Sequence, residues 1–177
     1  MSWHPFRRAQ RFRREERGSA TVEFAIWFPF LFLFMYSTFE LGLLTARNAM
    51  LERGLDIAVR DIRLGTGAVP QHDEIKTSIC ENAIVIPGCE SNLRLEMLRT
   101  DMRNWASLPA DPDCTDRAEE ARPVRQFTPG TSNQLMLLRA CLKVQPLSPT
   151  SQLVDYMQTD AAGDIAIVVT SAFVQEP

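Results

Sequence analysis

The chain has 177 residues, with 19 basic and 22 acidic side chains, a formal net charge of −3 and a hydrophobic content of 45%. This length suits one domain with a buried core, and the composition excludes a collagen-like chain, a low-complexity chain and a polytopic transporter. The charge is unevenly distributed. Residues 1–18 contain six arginines and two glutamates and carry +4, whereas the other 159 residues hold 13 basic and 20 acidic side chains and carry −7. Because the basic cluster precedes an apolar segment, we predict no nucleic-acid binding.

The junction after this basic stretch is typical of a processing site rather than an ordinary signal peptide. An ordinary signal peptide has an apolar run of about 7–15 residues, with small residues after the run. Here the run is longer, and the small residues Gly18, Ser19 and Ala20 precede it. A peptidase that recognises these residues would cut on the cytoplasmic side and leave the apolar helix on the mature protein.

The long apolar stretch at residues 20–44 predicts one membrane-spanning helix. Residues 20–44 carry ionisable side chains only at Glu23 and Glu40, and Phe24 to Phe39 are all uncharged. About 20 helical residues cross a bilayer core of about 30 Å. The alternative, a helix buried in a soluble core, is disfavoured because the segment has no polar face. The arginine-rich stretch places the N-terminus in the cytoplasm and the rest of the chain outside.

The junction and the helix together resemble a known family. Gly18, followed by Ser-Ala-Thr-Val and Glu23, resembles the cleavage site of type IV prepilins. Residues 14–65 resemble the TadE-like proteins of tight-adherence (Tad) pili, and a weaker resemblance covers the remainder, with its paired cysteines and the string FTPG…LLRACLKVQPLSP. The residues that carry the family pattern in the helix are Glu23-Phe24-Ala25, Pro29 and Glu40-Leu41-Gly42. The resemblance implies cleavage after Gly18 by a prepilin peptidase, which makes Ser19 the new N-terminus and Glu23 the fifth mature residue.

Glu23 is the first of four candidate assembly residues, which also include Phe24, Pro29 and Glu40. A carboxylate near the membrane edge of an apolar helix is costly without a partner, so it is usually functional. In pilin-like assemblies the implied partner is the free ammonium group of the first mature residue in a neighbouring subunit. That pairing would compensate both charges and set the axial register between subunits. The alternative for Glu23 is a position among the lipid headgroups.

Pro29 and Glu40 have different expected roles. Pro29 lacks an amide hydrogen, so we expect a kink or local unwinding, which would serve as a hinge when the helix leaves the bilayer for a filament. Glu40 lies about 25 Å further along the helix than Glu23 and is expected near the outer interface. For Glu40, a solvated or interfacial role and a specific contact are both open.

Beyond the span, the pattern predicts that the helix continues over residues 45–64. Gly65-Thr66-Gly67 predicts its end, and Gly54 interrupts it at a modest cost. Charged residues occupy the other faces of this segment. Apolar residues that recur at helical spacing are Leu44, Leu51, Leu55, Ala58 and Ile62.

A short helix and three strands are predicted after this long helix. The short helix starts at His72 and reaches Cys80. Alternating apolar residues predict strands at Leu93–Met97, Leu135–Val144 and Ile165–Phe173, and a polar stretch between the first two predicts a long loop. The fold class is therefore α+β, with a long N-terminal helix, membrane-spanning in its first half, packed on a small antiparallel sheet in a pilin-like arrangement.

All four cysteines, Cys80, Cys89, Cys114 and Cys141, follow the apolar segment. An even count confined to the exported part predicts disulfides in an oxidising compartment. Zinc is the alternative, but the cysteines lack the close CxxC spacing of zinc sites. Of the three possible pairings we favour Cys80–Cys89, which closes the short loop ENAIVIPG, and therefore Cys114–Cys141.

No motif in the sequence predicts catalysis, a cofactor or a metal, and HExxH, GxSxG, Walker and GxGxxG patterns are absent. His72 lies beside two acidic residues, which is typical of a solvated helix start rather than a catalytic or metal site. Asp111, Asp113 and Asp116 offer oxygen atoms to calcium, but their spacing is not that of an EF-hand and an acidic turn explains them as well. We therefore expect a protein that is not an enzyme.

The sequence as a whole favours a TadE-like minor pilin or pseudopilin of the Tad pilus that supports surface adhesion. It predicts a basic leader over 1–18, a transmembrane helix over 19–44 and a periplasmic head over 45–177. The expected partners are a prepilin peptidase, other Tad pilins or pseudopilins, inner-membrane platform proteins and the lipid bilayer of the bacterial inner membrane. A place in the fibre, at its tip or at its base is compatible with these features. The alternative is an uncleaved single-pass membrane protein with a periplasmic binding domain.

Overall fold

The structure is a computed structural model of the chain, and it confirms the α+β class. It describes residues 19–64, 71–101, 103, 109–115, 127–147, 157 and 159–176. The helices are α1 (Ser19–Leu64), α2 (His72–Asn82) and α3 (Cys89–Asn92). The strands are β1 (Leu93–Thr100), β2 (Leu135–Val144) and β3 (Ile165–Val174). Two compact units divide the chain, Met1–Phe39 and Glu40–Pro177, and we call the second unit the head.

The C-terminal part of α1 supplies one layer of the head. The predicted apolar stripe is confirmed, because all five of its members are buried in the core. Val59, which the spacing argument missed, is buried with them. The glycines that predict the end of α1, at positions 65 and 67, lie outside the described residues. Burial of this stripe against the sheet is what holds α1 in the head.

The second layer is an antiparallel sheet in the order β1-β2-β3, with β2 in the centre. Leu93 pairs with Leu142 across β1 and β2, and Val144 pairs with Ile165 across β2 and β3. All three predicted strands are confirmed. Their alternating apolar side chains face the core, because successive side chains of a strand point to opposite faces. The fully buried members of this face include Leu93, Leu95, Met136, Leu138 and Leu142.

Helix α2 closes one side of the core, and the predicted acidic start is confirmed. Its first turn contains Asp73 and Glu74, and the Glu74 carboxylate accepts a hydrogen bond from the Gln71 backbone N–H at 3.0 Å. This contact satisfies a backbone donor that the helix itself cannot satisfy. Ile75 and Ile79 face inward and are buried.

The contact between α1 and α2 requires a glycine at position 54. A Cβ atom added to Gly54 would lie 2.7 Å from the carbonyl oxygen of Ile79 and 3.3 Å from its Cγ2 atom. Gly54 lowers the helix propensity of α1 at a modest cost. It lies where the backbones of α1 and α2 approach each other closely. In contrast, a Cβ atom on Gly42 would meet no heavy atom within 4 Å.

Two disulfides join the loops to these elements. Cys80 is bonded to Cys89, and Cys114 is bonded to Cys141, which are the pairs that the sequence favours. The first closes the loop between α2 and α3. The second attaches the segment 109–115 to the central strand, on the face of the sheet opposite Met136 and Leu138, as expected for Cys141.

Candidate functional site

The N-terminal part of α1 exposes a continuous apolar surface, which we call the apolar segment and define as residues 20–39. Its exposed apolar side chains range from 48% for Phe28 to 71% for Phe34. The most hydrophobic 18-residue window of α1 has a mean hydropathy of 1.6, and none of it is buried. A core helix of a soluble protein would be mostly buried. The length, composition and exposure of α1 therefore suit a helix that crosses a membrane once.

Aromatic side chains form a stripe along this segment. The ring centroids of Phe24 and Phe28 are 5.1 Å apart, and those of Phe28 and Phe32 are 6.1 Å apart. Trp27 and Phe30 form a further pair at 6.4 Å. Helix neighbours at positions i, i+3 and i, i+4 lie on the same face and bring their rings together, so the stripe follows from the spacing of the residues. The family pattern in the sequence includes Phe24 but not Phe28 and Phe32, which continue the stripe.

Glu23 lies in the first turns of α1, and its side chain is exposed between apolar neighbours. Val22 and Phe24, on either side, are also exposed. Within the described ranges, no ion pair involves Glu23. Gly18, which the sequence predicts as a processing residue, and the side chain of Ser19 lie outside the described residues. An exposed carboxylate on an otherwise apolar surface offers one charged contact point to a partner.

Pro29 lies inside α1, and the helix runs through it without interruption. Because proline has no amide hydrogen, the carbonyl oxygen of Ala25 lacks its usual intrahelical donor. Two hydroxyl groups further along donate back to the helix at 2.8 Å, Thr38 Oγ1 to the carbonyl of Phe34 and Thr45 Oγ1 to that of Leu41. Both hydroxyl groups are therefore hydrogen-bonded within the helix and need no partner outside it. The kink at Pro29 stays a prediction.

Glu40 makes a specific contact, which decides between the two roles that the sequence leaves open. Its side chain is only 1% exposed, and its Oε1 atom accepts a hydrogen bond from the backbone N–H of Leu147 at 2.9 Å. Two turns later, Arg47 Nη1 donates to the carbonyl oxygen of Gln145 at 3.3 Å. The segment that follows β2 is therefore attached to α1 at two points. A charge-assisted bond to a buried carboxylate is stronger than a neutral one.

A second polar cluster lies on the face of the sheet that the segment 109–115 covers. Arg139 Nε donates to Glu96 Oε2 at 2.6 Å, and both side chains are buried. Arg94 Nη1 and Asp113 Oδ2 are 3.1 Å apart, and the Asp113 backbone N–H donates to Glu96 Oε2 at 3.2 Å. Arg139 Nη1 also donates to the carbonyl oxygen of Pro109 at 2.8 Å. Paired charges of this kind hold a loop in place, because breaking one pair leaves a buried charge uncompensated.

This cluster bears on two features of the sequence. The alternation in β1 identifies a strand, and Glu96, on the strand face opposite Leu95 and Met97, is buried. Asp113, a calcium candidate, is buried and engaged with Arg94, while Asp111 is exposed and Asp116 lies outside the described residues. No group of three potential metal ligands occurs in the described part of the chain. Asp113 therefore acts as the ion-pair partner of Arg94, and calcium binding by this loop stays an open alternative.

His72 stands at the start of α2, as predicted, and its surroundings are structural. Its Nδ1 atom lies 2.8 Å from Asp73 Oδ1, and its ring packs edge-on against Phe127 with centroids 5.3 Å apart. The hydrogen bond with His72, followed by the charge of that ring, lowers the pKa of the Asp73 carboxyl. The side chain of Asp73 is exposed to solvent. The pair therefore lies at the first turn of a helix, with its carboxylate open to solvent.

Comparison with known proteins supports the resemblance at the N-terminus. The family described as TadE-like protein matches residues 18–60 of this chain, which include the apolar segment, Glu23, Pro29 and Glu40. This match confirms the recognition made from the junction and the helix. TadE-like proteins are structural components of the Tad pilus system rather than enzymes. No curated protein and no solved structure matches the chain.

Proposed function

Because residues 18–60 make this chain similar to TadE-like proteins, we propose that it is a TadE-like minor pilin or pseudopilin of a Tad pilus. It is inserted in the bacterial inner membrane and cleaved after Gly18 by a prepilin peptidase. It then takes part in pilus assembly and surface adhesion. Its proposed organisation is a basic leader over 1–18, a transmembrane helix over 19–44 and a periplasmic head over 45–177.

The exposed apolar segment of α1 is the observation that carries this proposal. A chain that kept this surface in water would aggregate, since the segment presents large apolar side chains on every face. Either a bilayer or the helices of neighbouring subunits can cover it. Pilin-like proteins need both environments in turn, first the membrane and then the assembled filament. Other Tad pilins or pseudopilins and the inner-membrane platform proteins are the corresponding partners.

The topology follows from charge. The six arginines of the leader stay in the cytoplasm under the positive-inside rule, so the head is periplasmic. Two disulfides in the head fit an oxidising compartment. The cut after Gly18 removes the +4 charge at the cytoplasmic end, which lowers the electrostatic barrier to moving the helix out of the bilayer.

Within the assembly, Glu23 pairs with the ammonium group that cleavage creates on Ser19 of a neighbouring subunit. Both groups are charged and lie on apolar surface, so each compensates the cost of burying the other. The exposed position of Glu23 leaves its carboxylate accessible to such a partner. A pairing between subunits would set how far one helix is displaced along the next.

Cleavage is tested by the intact mass of the protein extracted from membranes. The expected mature chain starts at Ser19, and Gly18→Ala should leave the precursor uncut. A wild-type chain that keeps its arginine-rich N-terminus, or one that is cut elsewhere, would contradict the proposal. The alternative of an uncleaved single-pass membrane protein with a periplasmic binding domain predicts the former result, with no effect of Gly18→Ala.

The role of Glu23 needs a separate test, because cleavage and assembly are distinct steps. Glu23→Gln keeps the size of the side chain and removes its charge. It should leave cleavage intact and reduce the number of pili per cell by about tenfold or more, if the pair contributes at least about 1.4 kcal/mol per contact. Asp61→Asn is the matched control, since Asp61 is an exposed carboxylate of α1 in the head. Unchanged piliation in Glu23→Gln cells would refute the pairing.

A further inference from the structure

The segment that follows β2 is attached to α1 at a position that the proposed membrane span includes. We call this segment, residues 145–147, the strap. The backbone N–H of Leu147 donates to Glu40 Oε1 at 2.9 Å, and the carbonyl oxygen of Gln145 accepts from Arg47 Nη1 at 3.3 Å. The side chain of Glu40 is buried under this contact. The strap is therefore fixed against the two turns of α1 that separate Glu40 from Arg47.

The depth of the contact follows from the number of residues along α1. For a helix that runs along the membrane normal, a hydrocarbon core of about 30 Å takes up about 20 residues. A core that begins at Phe24, directly after Glu23, ends near Leu44. Glu40 then lies about 6 Å inside the outer edge of the core, and Arg47 lies about 4 Å outside it, among the lipid headgroups.

The surface beside the Glu40 contact suits an apolar environment. Leu41 is 51% exposed and Leu147 is 49% exposed. The hydroxyl group of Thr45 donates to the Leu41 carbonyl at 2.8 Å, so it is satisfied within the helix. An ionised carboxylate is costly in hydrocarbon unless it has a partner, and the strap supplies Glu40 with a backbone donor. At this depth the charge is covered and leucine side chains face outward.

Arg47 suits the next level of a bilayer. It is the first basic side chain after the apolar stretch, and it lies about 10 Å beyond Glu40 along α1. A guanidinium group has five donors, so Arg47 can bind lipid phosphate while Nη1 donates to Gln145. The order of groups along the helix, leucines first and then a cation, follows the order of acyl chains and phosphates in the outer leaflet.

From these contacts and depths, we propose that the strap lies in the outer leaflet of the membrane. The Leu147 side chain contacts acyl chains, and Arg47 contacts phosphate groups. Glu40 is a positioning residue, because its carboxylate holds the strap at this depth. The head therefore rests directly on the bilayer. This inference rests on the proposed membrane span of α1 and adds the lipid surface as a partner of the head, but it depends neither on processing of the leader nor on pairing between subunits.

The test measures the depth of nitroxide spin labels in the full chain, reconstituted in phosphatidylcholine nanodiscs. Each label is attached to one introduced cysteine, in Leu147→Cys, Val174→Cys or Phe32→Cys, because the four native cysteines are disulfide-bonded. The contact with Glu40 uses the backbone N–H of Leu147, so the substitution leaves it in place. Collision rates with oxygen, which concentrates in lipid, are compared with collision rates with a water-soluble nickel chelate.

Val174 is the matched control for Leu147. The exposed fractions of the two side chains are 47% and 49%. The neighbouring Gln175 donates through Nε2 to the carbonyl oxygen of Ile62 at 3.0 Å. Because Ile62 lies about 33 Å beyond Glu40 along α1, a label at position 174 should lie in water. The label at position 32, in the apolar segment, is the reference for lipid.

The ratio of oxygen to nickel collisions should be several-fold higher at positions 147 and 32 than at position 174. Addition of Glu40→Ala to the chain labelled at position 147 should lower that ratio towards the value in water. Glu40→Gln keeps an acceptor oxygen and should leave the ratio unchanged. Near-ultraviolet circular dichroism checks that the head of each variant is folded.

The possible failures are distinguishable. If position 32 lies in lipid but position 147 collides with nickel as often as position 174 does, the strap is in water, and the inference is wrong while the membrane span stands. A label at position 147 that is shielded from both reagents would identify a protein surface as the occupant and also overturn the inference. If the label at position 32 reaches water, the proposed span fails and the inference fails with it. An unchanged ratio in the folded Glu40→Ala chain would refute the positioning role of Glu40.

Discussion

Replacement of Gly54 by alanine should destabilise the head, although alanine is the better helix former. In an exposed helix interior, glycine to alanine stabilises by about 1 kcal/mol. At Gly54 the new Cβ atom would lie 2.7 Å from the Ile79 carbonyl oxygen, well inside ordinary van der Waals contact. That oxygen belongs to the backbone of α2, so it cannot move away by a side-chain rotation. Relief requires a shift of α2, whose C-terminal end is held by the Cys80–Cys89 disulfide.

The size of the effect follows from these two opposing terms. Overpacking a well-packed site lowers the unfolding free energy by about 1–3 kcal/mol. Because the Ile79 carbonyl oxygen belongs to a rigid backbone, we expect a value towards the upper end of that range. After subtraction of the gain in helix propensity, we expect a net loss of about 1–2 kcal/mol. Gly42→Ala is the matched control on the same helix, because its new Cβ atom meets nothing within 4 Å. It should leave the stability unchanged or raise it by up to about 1 kcal/mol.

Thermal unfolding of the full chain in detergent micelles, followed by near-ultraviolet circular dichroism, measures the head rather than total helicity. For a domain of this size, the loss at Gly54 corresponds to a decrease in Tm of about 4–8 °C. The Gly42→Ala chain should unfold at or slightly above the wild-type temperature. If Gly54→Ala raised the Tm as much as Gly42→Ala, the close approach between α1 and α2 would be wrong, and Gly54 would be only a weak point in the helix.

Three further predictions concern polar contacts of the head. Glu40→Ala removes the acceptor of the Leu147 N–H, so it should lower the unfolding free energy by about 1–3 kcal/mol and accelerate hydrogen exchange of that amide. Glu40→Gln keeps an acceptor oxygen and should preserve most of the protection from exchange. Arg139→Met alone should lower the unfolding free energy measured by chemical denaturation by about 3–5 kcal/mol, because it leaves the charge of Glu96 buried and uncompensated. Glu96→Leu combined with Arg139→Met should recover most of that loss, and failure to recover would refute the buried pair. For Asp160, burial raises the pKa, but the hydrogen bonds from Lys143 and from backbone N–H groups outweigh it, so the pKa lies below its ordinary value of 3.8. The stabilisation from Asp160 is therefore complete above pH 3.8 and is lost as the pH falls through the lower pKa of the folded state. Asp160→Asn should lower the unfolding free energy at neutral pH, and its difference from the wild-type chain should shrink below about pH 3.8. A difference that does not depend on pH would refute the coupling.

Features that depend on local pattern are predicted well by the sequence. The buried stripe of α1 and the three strands are read from periodicities of side chains along one element, and the apolar segment is read from its length and its lack of charge. The Gly18 to Glu23 junction is likewise local, and residues 18–60 match the TadE-like family. The favoured cysteine pairing follows from one short loop, Cys80 to Cys89, which leaves a single partner for Cys114.

Tertiary structure decides what lies opposite each of these elements. The same carboxylate chemistry gives Glu23 an exposed position and Glu40 a buried contact, because Leu147 approaches only Glu40, from 107 residues away in the chain. Gly54 and Gly42 both look like weak points in α1, yet only Gly54 faces the backbone of another helix. Periodicity identifies which side of an element is apolar, but burial of Glu96 depends on a loop and a strand that are distant in sequence. By itself, the sequence therefore determined the elements and the apolar helix that suggests a pilus role, whereas long-range packing determined which charges and glycines hold the head together.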